Sequence, residues 1–111
     1  MKPKSMMLAV AFIFIGITST FANVAKTEKV KVYGSCGQCK TRIENAAKSV
    51  QGVTKATWTQ KDEMLTVTFD DTKTTLLKIE EAIVRVGHDT GKLKADDKTY
   101  MALPDCCHYR K

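Results

Sequence analysis

The sequence has 111 residues, with 18 Lys and Arg against 12 Asp and Glu and a net charge of +6. The basic residues alternate with acids, as at Lys26, Glu28 and Lys29 or at Lys94, Asp96, Asp97 and Lys98. This is the pattern of a solvated surface, not the clustered basic stripe that nucleic acid selects. Two histidines, neither beside a paired nucleophile and carboxylate, offer no hydrolytic triad, so no enzyme activity is expected.

Lys2 and Lys4 precede an apolar or small run of twelve residues from Met6 to Ile17, and Thr18 to Ala22 follow as a small, mildly polar exit. That order is the layout of a secretory signal peptide. A membrane-crossing helix needs about 20 apolar residues, so a retained anchor is the weaker reading and no stable membrane insertion is expected after processing. Cleavage after Ala22 would leave 89 residues, 16 Lys and Arg against 12 acids, and one compact domain.

Residues 23–28 are polar and read as a short leader. Lys29 to Tyr33 alternates polar and apolar residues, as a strand with one buried face does, and Gly34 ends it. From Lys40 to Val50, Ile43, Ala46, Ala47 and Val50 form one stripe of an amphipathic helix, with Gly52 as its stop. Val53 to Gln60 and Glu63 to Asp70, rich in β-branched and aromatic residues, predict a hairpin turning at Lys61 and Asp62. Ala56 and Trp58 share one face of it, and Leu65, Val67 and Phe69 share another.

A second helix is expected to begin at Thr74 or Thr75, to carry Leu76, Ile79, Ala82, Ile83 and Val86 inward, and to stop at Gly87. Lys78, Glu80, Glu81 and Arg85 read as its wet side. A last strand belongs at His88 to Leu93, where one large apolar residue and an internal Gly91 predict a short or irregular element. The order is α+β, a split βαββαβ sandwich of the ferredoxin-like kind. A helical turn with Tyr100, Met101 and Leu103 follows, ended by Pro104, and residues 94–111 form an extension closing in Cys-Cys-His.

The chemistry concentrates in Cys36 and Cys39, at the junction of the first strand and helix. A thiol binds metal only as thiolate, and Cys39, expected in the first helical turn, faces the positive end of the helix dipole with Lys40 and Arg42 nearby. Two such sulfurs suit a soft cation such as Cu(I). All four cysteines lie beyond residue 22, in the segment expected to be exported, where an even count suggests disulfides. One C-x-x-C and one adjacent pair are not the spread framework that staples a small secreted domain, and this favours a functional role.

G-x-C-x-x-C between a strand and a helix, inside about 65 residues of βαββα(β) order, resembles the heavy-metal-associated domain of copper chaperones, metal-transporting ATPase leader domains and periplasmic mercuric-ion binding proteins. The resemblance covers residues 29–93 and implies metal ligands at Cys36 and Cys39, with Cu(I) as the first candidate cargo and Hg(II) or Zn(II) behind it. It also implies handover by thiolate exchange to a metal-transporting or efflux protein. With its export signal the chain looks most like a periplasmic member. The family commonly carries Met two positions before its first Cys, or immediately before it; Gly34 and Ser35 hold those places here, which predicts a loop with weakened packing. His88 matches the loop where some members carry His, and reads either as a ligand or as an exposed loop residue.

Cys106, Cys107 and His108 lie outside the common domain and are candidate additional ligands. Adjacent cysteines diverge and chelate one ion awkwardly, so the alternatives are a disulfide from one of them to the first pair or, more rarely, a vicinal disulfide. Tyr33, Trp58 and Phe69 read as core or half-buried sheet residues, and Met64 and Met101 as packing rather than ligands. Exposed Lys40, Arg42 and Lys48 predict a partner with an acidic docking surface, and two chains sharing one ion would make a metal-bridged homodimer. Two rival functions remain: a thiol-disulfide oxidoreductase, against which the lack of a Pro facing the first pair counts, and a structural zinc or disulfide domain.

Overall fold

A computed structural model of the chain describes residues 25–111, so the expected signal peptide lies outside the described residues. Strand β1 (Ala25–Lys31) is followed by helix α1 (Gly37–Lys48), strands β2 (Val53–Thr59) and β3 (Met64–Asp70), helix α2 (Leu76–Arg85), a short helix α3 (Asp97–Met101) and a 3-10 turn at Asp105–Cys107. Among the described residues the three strands form one antiparallel sheet in the order β1-β3-β2. This is the ferredoxin-like α+β arrangement, with its final strand nearly lost.

β1 begins earlier than its apolar alternation suggests. Ala25 to Glu28, expected as leader, pair with Asp70 to Val67 of β3. Backbone bonding and a Thr27–Thr68 hydroxyl contact of 3.0 Å fix this end, so polar side chains there leave no periodic signal. α1 begins at Gly37 with Cys36 as N-cap, and so holds Cys39 in its first turn as expected.

Val30, Leu65, Val67, Phe69, Ala56 and Trp58 line the inner sheet face, and Ile43, Ala46 and Ala47 of α1 with Ile79 and Ile83 of α2 close the core over it. Thr75 caps α2 by accepting from the Lys78 N–H at 3.2 Å. Gly87 ends that region with a φ of 106°, and a Cβ there would lie 3.0 Å from Leu103, so both conformation and close approach call for glycine.

Glu80 departs from the expected wet face of α2. It is buried, and its Oε1 accepts from the Thr90 hydroxyl at 2.6 Å. The Thr90 oxygen in turn accepts from the N–H groups of Lys92 and Leu93, at 3.2 and 3.0 Å. The segment therefore folds around Thr90, and only the Val32–Thr90 bridge survives of the last strand. Beyond it, the extension is part of the core rather than an appendage: Tyr100, Leu103 and Cys107 are buried in the same cluster as Ile43 and Trp58, while Met101 points outward. No helix among the described residues is long and apolar enough to cross a membrane.

Candidate metal centre

The loop that carries Cys36 rests on an indole. A Cβ on Gly34 would stand 3.0 Å from the Cys39 Cβ and 3.1 Å from the Trp58 ring, so the backbone passes where only glycine fits. Trp58 Nε1 donates to the Val32 carbonyl at 2.9 Å, Gly34 N to Glu63 Oε2 at 3.2 Å, and Gln60 Nε2 to the Ser35 carbonyl at 2.9 Å. The hairpin thus anchors the loop from below. The weakened packing expected from Gly34 and Ser35 is not found, because the Trp58 ring fills the space beneath the loop.

Cys36 Sγ and Cys39 Sγ are 3.4 Å apart, and the Ser35 N–H points at Cys39 Sγ from 3.3 Å. Cys39 is fully buried in the first turn of α1, and once reduced its sulfur would lie at the positive end of the helix dipole, where negative charge is favoured. Cys36 is half-buried above it.

The adjacent tail cysteines meet this pair one to one. Cys106 is joined to Cys36 and Cys107 to Cys39, with Cα separations of 6.0 and 5.8 Å, inside the range of a disulfide. The disfavoured disulfide framework is therefore present. The expected divergence of adjacent side chains is what allows it, since Cys106 turns outward to one sulfur and Cys107, fully buried, turns inward to the other. Cys107 Sγ also lies 3.3 Å from Cys36 Sγ, so the four sulfurs form one nest.

His88 joins them. It is fully buried rather than exposed in a loop, with Nδ1 2.8 Å from the Tyr33 carbonyl and Nε2 without a hydrogen-bond partner. Burial pushes its imidazole below the usual range; the Tyr33 carbonyl opposes this and Arg42 reinforces it, which leaves the neutral ring that can ligate. Two donor triads result among the described residues, Cys36 with Cys106 and Cys107, and Cys39 with His88 and Cys107, each with all atoms within 4.8 Å of one another. His108 belongs to neither; its ring tilts against Tyr100 at 5.2 Å.

The residues that hold the tail here were not singled out by sequence. Tyr109 stacks on His88 at 5.5 Å, and its hydroxyl donates to the Gly87 carbonyl at 2.8 Å while accepting from Asp89 N at 2.7 Å. Burial pushes that phenol up to about 12, so it stays protonated. Arg110 binds Asp89, Asp97 and the Ala95 carbonyl. An aromatic and an arginine directly after the Cys-Cys-His run were the available signal. Tyr33, expected as a core or half-buried sheet residue, is 37% exposed and faces Tyr109 across 6.4 Å.

The heavy-metal-associated domain model matches residues 34–89, half of the chain. The chain belongs to the heavy-metal-associated domain family. Its similarity to the copper chaperone CopZ of Staphylococcus aureus is 34% identity over 55 residues, which cover 50% of this chain and 81% of that protein. Oxidised MerP from Ralstonia metallidurans superposes with a TM-score of 0.58 at 31% identity, covering 60% of this chain and 94% of MerP. The N-terminal domain of a potential copper-translocating P-type ATPase from Bacillus subtilis, solved in its Cu(I)-loaded state, gives 0.57 at 25% identity, covering 64% and 89%. The family match ends at residue 89, so the heavy-metal-associated domain holds Cys36, Cys39 and His88 while both tail cysteines lie beyond it.

Proposed function

We propose that this protein captures a soft metal ion, Cu(I) foremost, with the thiolates of Cys36 and Cys39, and passes it on by exchanging ligands one at a time. It turns over no substrate. The observation that carries this reading is the 3.4 Å approach of the two sulfurs at the start of α1, one buried against the helix dipole and one half-open above it. Similarity to a copper chaperone, to MerP and to a Cu(I)-loaded ATPase domain supports soft-metal binding. Hg(II) and Zn(II) are proposed as lesser cargoes on the softness of the sulfur donors. The signal-like N-terminus makes the periplasm its place of work.

The receiving partner is a metal-transporting or efflux protein with an acidic docking surface. Lys48 is the charge that would meet it, because Lys40 is already paired with Glu44 at 2.6 Å and Arg42, expected to be exposed, is half-buried with its Nε shielded from solvent. A metal-bridged homodimer would need the tail to leave the loop, since Cys106 and Cys107 occupy the sulfurs that a second chain would approach.

The test is metal retention by reduced protein carrying Cys36→Ser and Cys39→Ser together; undiminished copper or mercury binding would overturn the proposal. A second reading, a domain stapled by its two sulfur pairs, is favoured by the one-to-one pairing itself. Thiol titration of protein isolated from its compartment separates the two, because metal capture needs free thiols and the staple has none.

A further inference from the structure

Resting on the proposal that Cys36 and Cys39 capture Cu(I), we infer that the reduced chain holds two Cu(I) ions side by side, with the Cys107 thiolate bridging them. The two donor triads around the nest share Cys107 and no other residue. Cys107 is fully buried at the centre, joined to Cys39 and 3.3 Å from Cys36. A thiolate sulfur has lone pairs enough for two soft ions, and thiolate with imidazole is a donor set that Cu(I) accepts.

The two places differ in access. Cys106 is exposed and Cys36 half-buried, so the outer triad opens to solvent; Cys39, His88 and Cys107 are all buried, so the inner one does not. His88 supplies the independent pointer to an inner ion. Its Nδ1 is committed to the Tyr33 carbonyl, and its Nε2 is a buried nitrogen with no partner among the described residues. A buried imidazole nitrogen without a partner is costly, and a metal ion would satisfy it.

The electron and charge balance closes. Two disulfides take four electrons and four protons from two equivalents of a dithiol reductant, giving four thiols and two oxidised reductant molecules. Binding of two Cu(I) then releases four protons and leaves the four-thiolate cluster with two net negative charges. The positive end of α1 faces Cys39, and the half-buried Arg42 guanidinium acts on His88. The inner ion would be retained while the outer one exchanges with a partner.

Titration of the reduced protein with Cu(I), supplied as its acetonitrile complex without oxygen and counted by native mass spectrometry, tests this. Two ions on the monomer are expected, with a short copper–copper path in X-ray absorption. Saturation at one ion, or two ions without that path, overturns the shared cluster and leaves the capture proposal intact; saturation at none overturns both. Cys107→Ser is expected to bind at most one ion and lose the path, and a variant that keeps both ions and the path overturns the bridge. His88→Gln, which leaves all four sulfurs, is expected to reduce the count to one while circular dichroism stays unchanged. A His88→Gln protein that still binds two ions as tightly overturns the inner site.

Discussion

Arg110 grips Asp89 with two nitrogens, Nε 3.1 Å from Oδ2 and Nη2 2.9 Å from Oδ1, and so ties the end of the chain to the residue after His88. Both side chains are mostly shielded, with 20% and 14% exposure, which lifts the pair above an ordinary surface contact. Burial alone would raise the Asp89 carboxyl, but Arg110 and the Ala95 N–H hold it below the usual carboxylate range. Arg110→Ala is expected to cost about 2 kcal/mol in tail docking, the scale of hydrogen bonds to charged groups, which is roughly a thirtyfold rise in local opening. Hydrogen exchange should show faster amides at 103–109 in the reduced protein with the sheet unchanged. Equal protection in both proteins would show that the sulfurs and Tyr109 hold the tail alone.

Gly34→Ala places a methyl 3.0 Å from the Cys39 Cβ and 3.1 Å from the indole. Neither neighbour can yield easily, because Cys39 sits in a helix and Trp58 is 1% exposed and hydrogen-bonded to the Val32 carbonyl. The expected loss is about 1–3 kcal/mol in urea unfolding, the usual range for overpacking. Gly37→Ala is the control, since a Cβ there meets nothing within 4 Å. If the two variants unfold alike, the indole does not set the height of the metal loop.

Glu44 covers the edge strand. Its Oε2 accepts from the Trp58 N–H at 2.8 Å and from Lys40 Nζ at 2.6 Å, and Lys40 donates to the Trp58 carbonyl at 3.0 Å. A strand edge is thereby closed by α1 rather than left open for pairing. Burial would raise the Glu44 carboxyl, yet Lys40 and the Trp58 N–H together lower it from 4.5. A carboxyl with a depressed folded value adds stability that is present above its unfolded value and lost as pH falls through the folded one. Urea unfolding should therefore weaken from 4.5 downward, and Glu44→Gln should flatten that part of the profile. Parallel profiles for the two proteins would remove Glu44 from the acid response.

Most of the sheet and both long helices were legible because their apolar residues recur at strand or helix period, as Leu65, Val67 and Phe69 or Ile79 and Ile83 do. The start of β1 was not, since Ala25 to Glu28 are held by backbone pairing and carry no apolar face. Cys36 and Cys39 were legible because the junction and spacing are local. The rest of the nest was not. Whether Cys106 and Cys107 reach the first pair depends on a chain reversal across about 70 residues, set by Tyr109 on His88 and Arg110 on Asp89. Burial of His88 and Glu80 is likewise tertiary: Tyr109 stacks over His88, and the Thr90 hydroxyl closes on Glu80.

The four cysteines should differ in reactivity in an order that the nest dictates. Cys106 is exposed, Cys36 half-buried, and Cys39 and Cys107 fully buried. Brief treatment of the reduced, metal-free protein with iodoacetamide should label Cys106 first and Cys36 next, with the buried pair labelled only as the tail opens. Peptide mass mapping over a time course reads this directly. Arg110→Ala should speed labelling of Cys107 by roughly thirtyfold if tail opening limits it, matching the amide result. Labelling of Cys39 should accelerate less, because the first turn of α1 and Trp58 still cover it. Mapping the oxidised protein should return the peptide that holds Cys36 and Cys39 joined by two disulfides to the one that holds Cys106 and Cys107. Recovery of a Cys36–Cys39 peptide instead would mean that the tail does not lie on the metal loop in the oxidised protein, and the order of labelling would then have another cause.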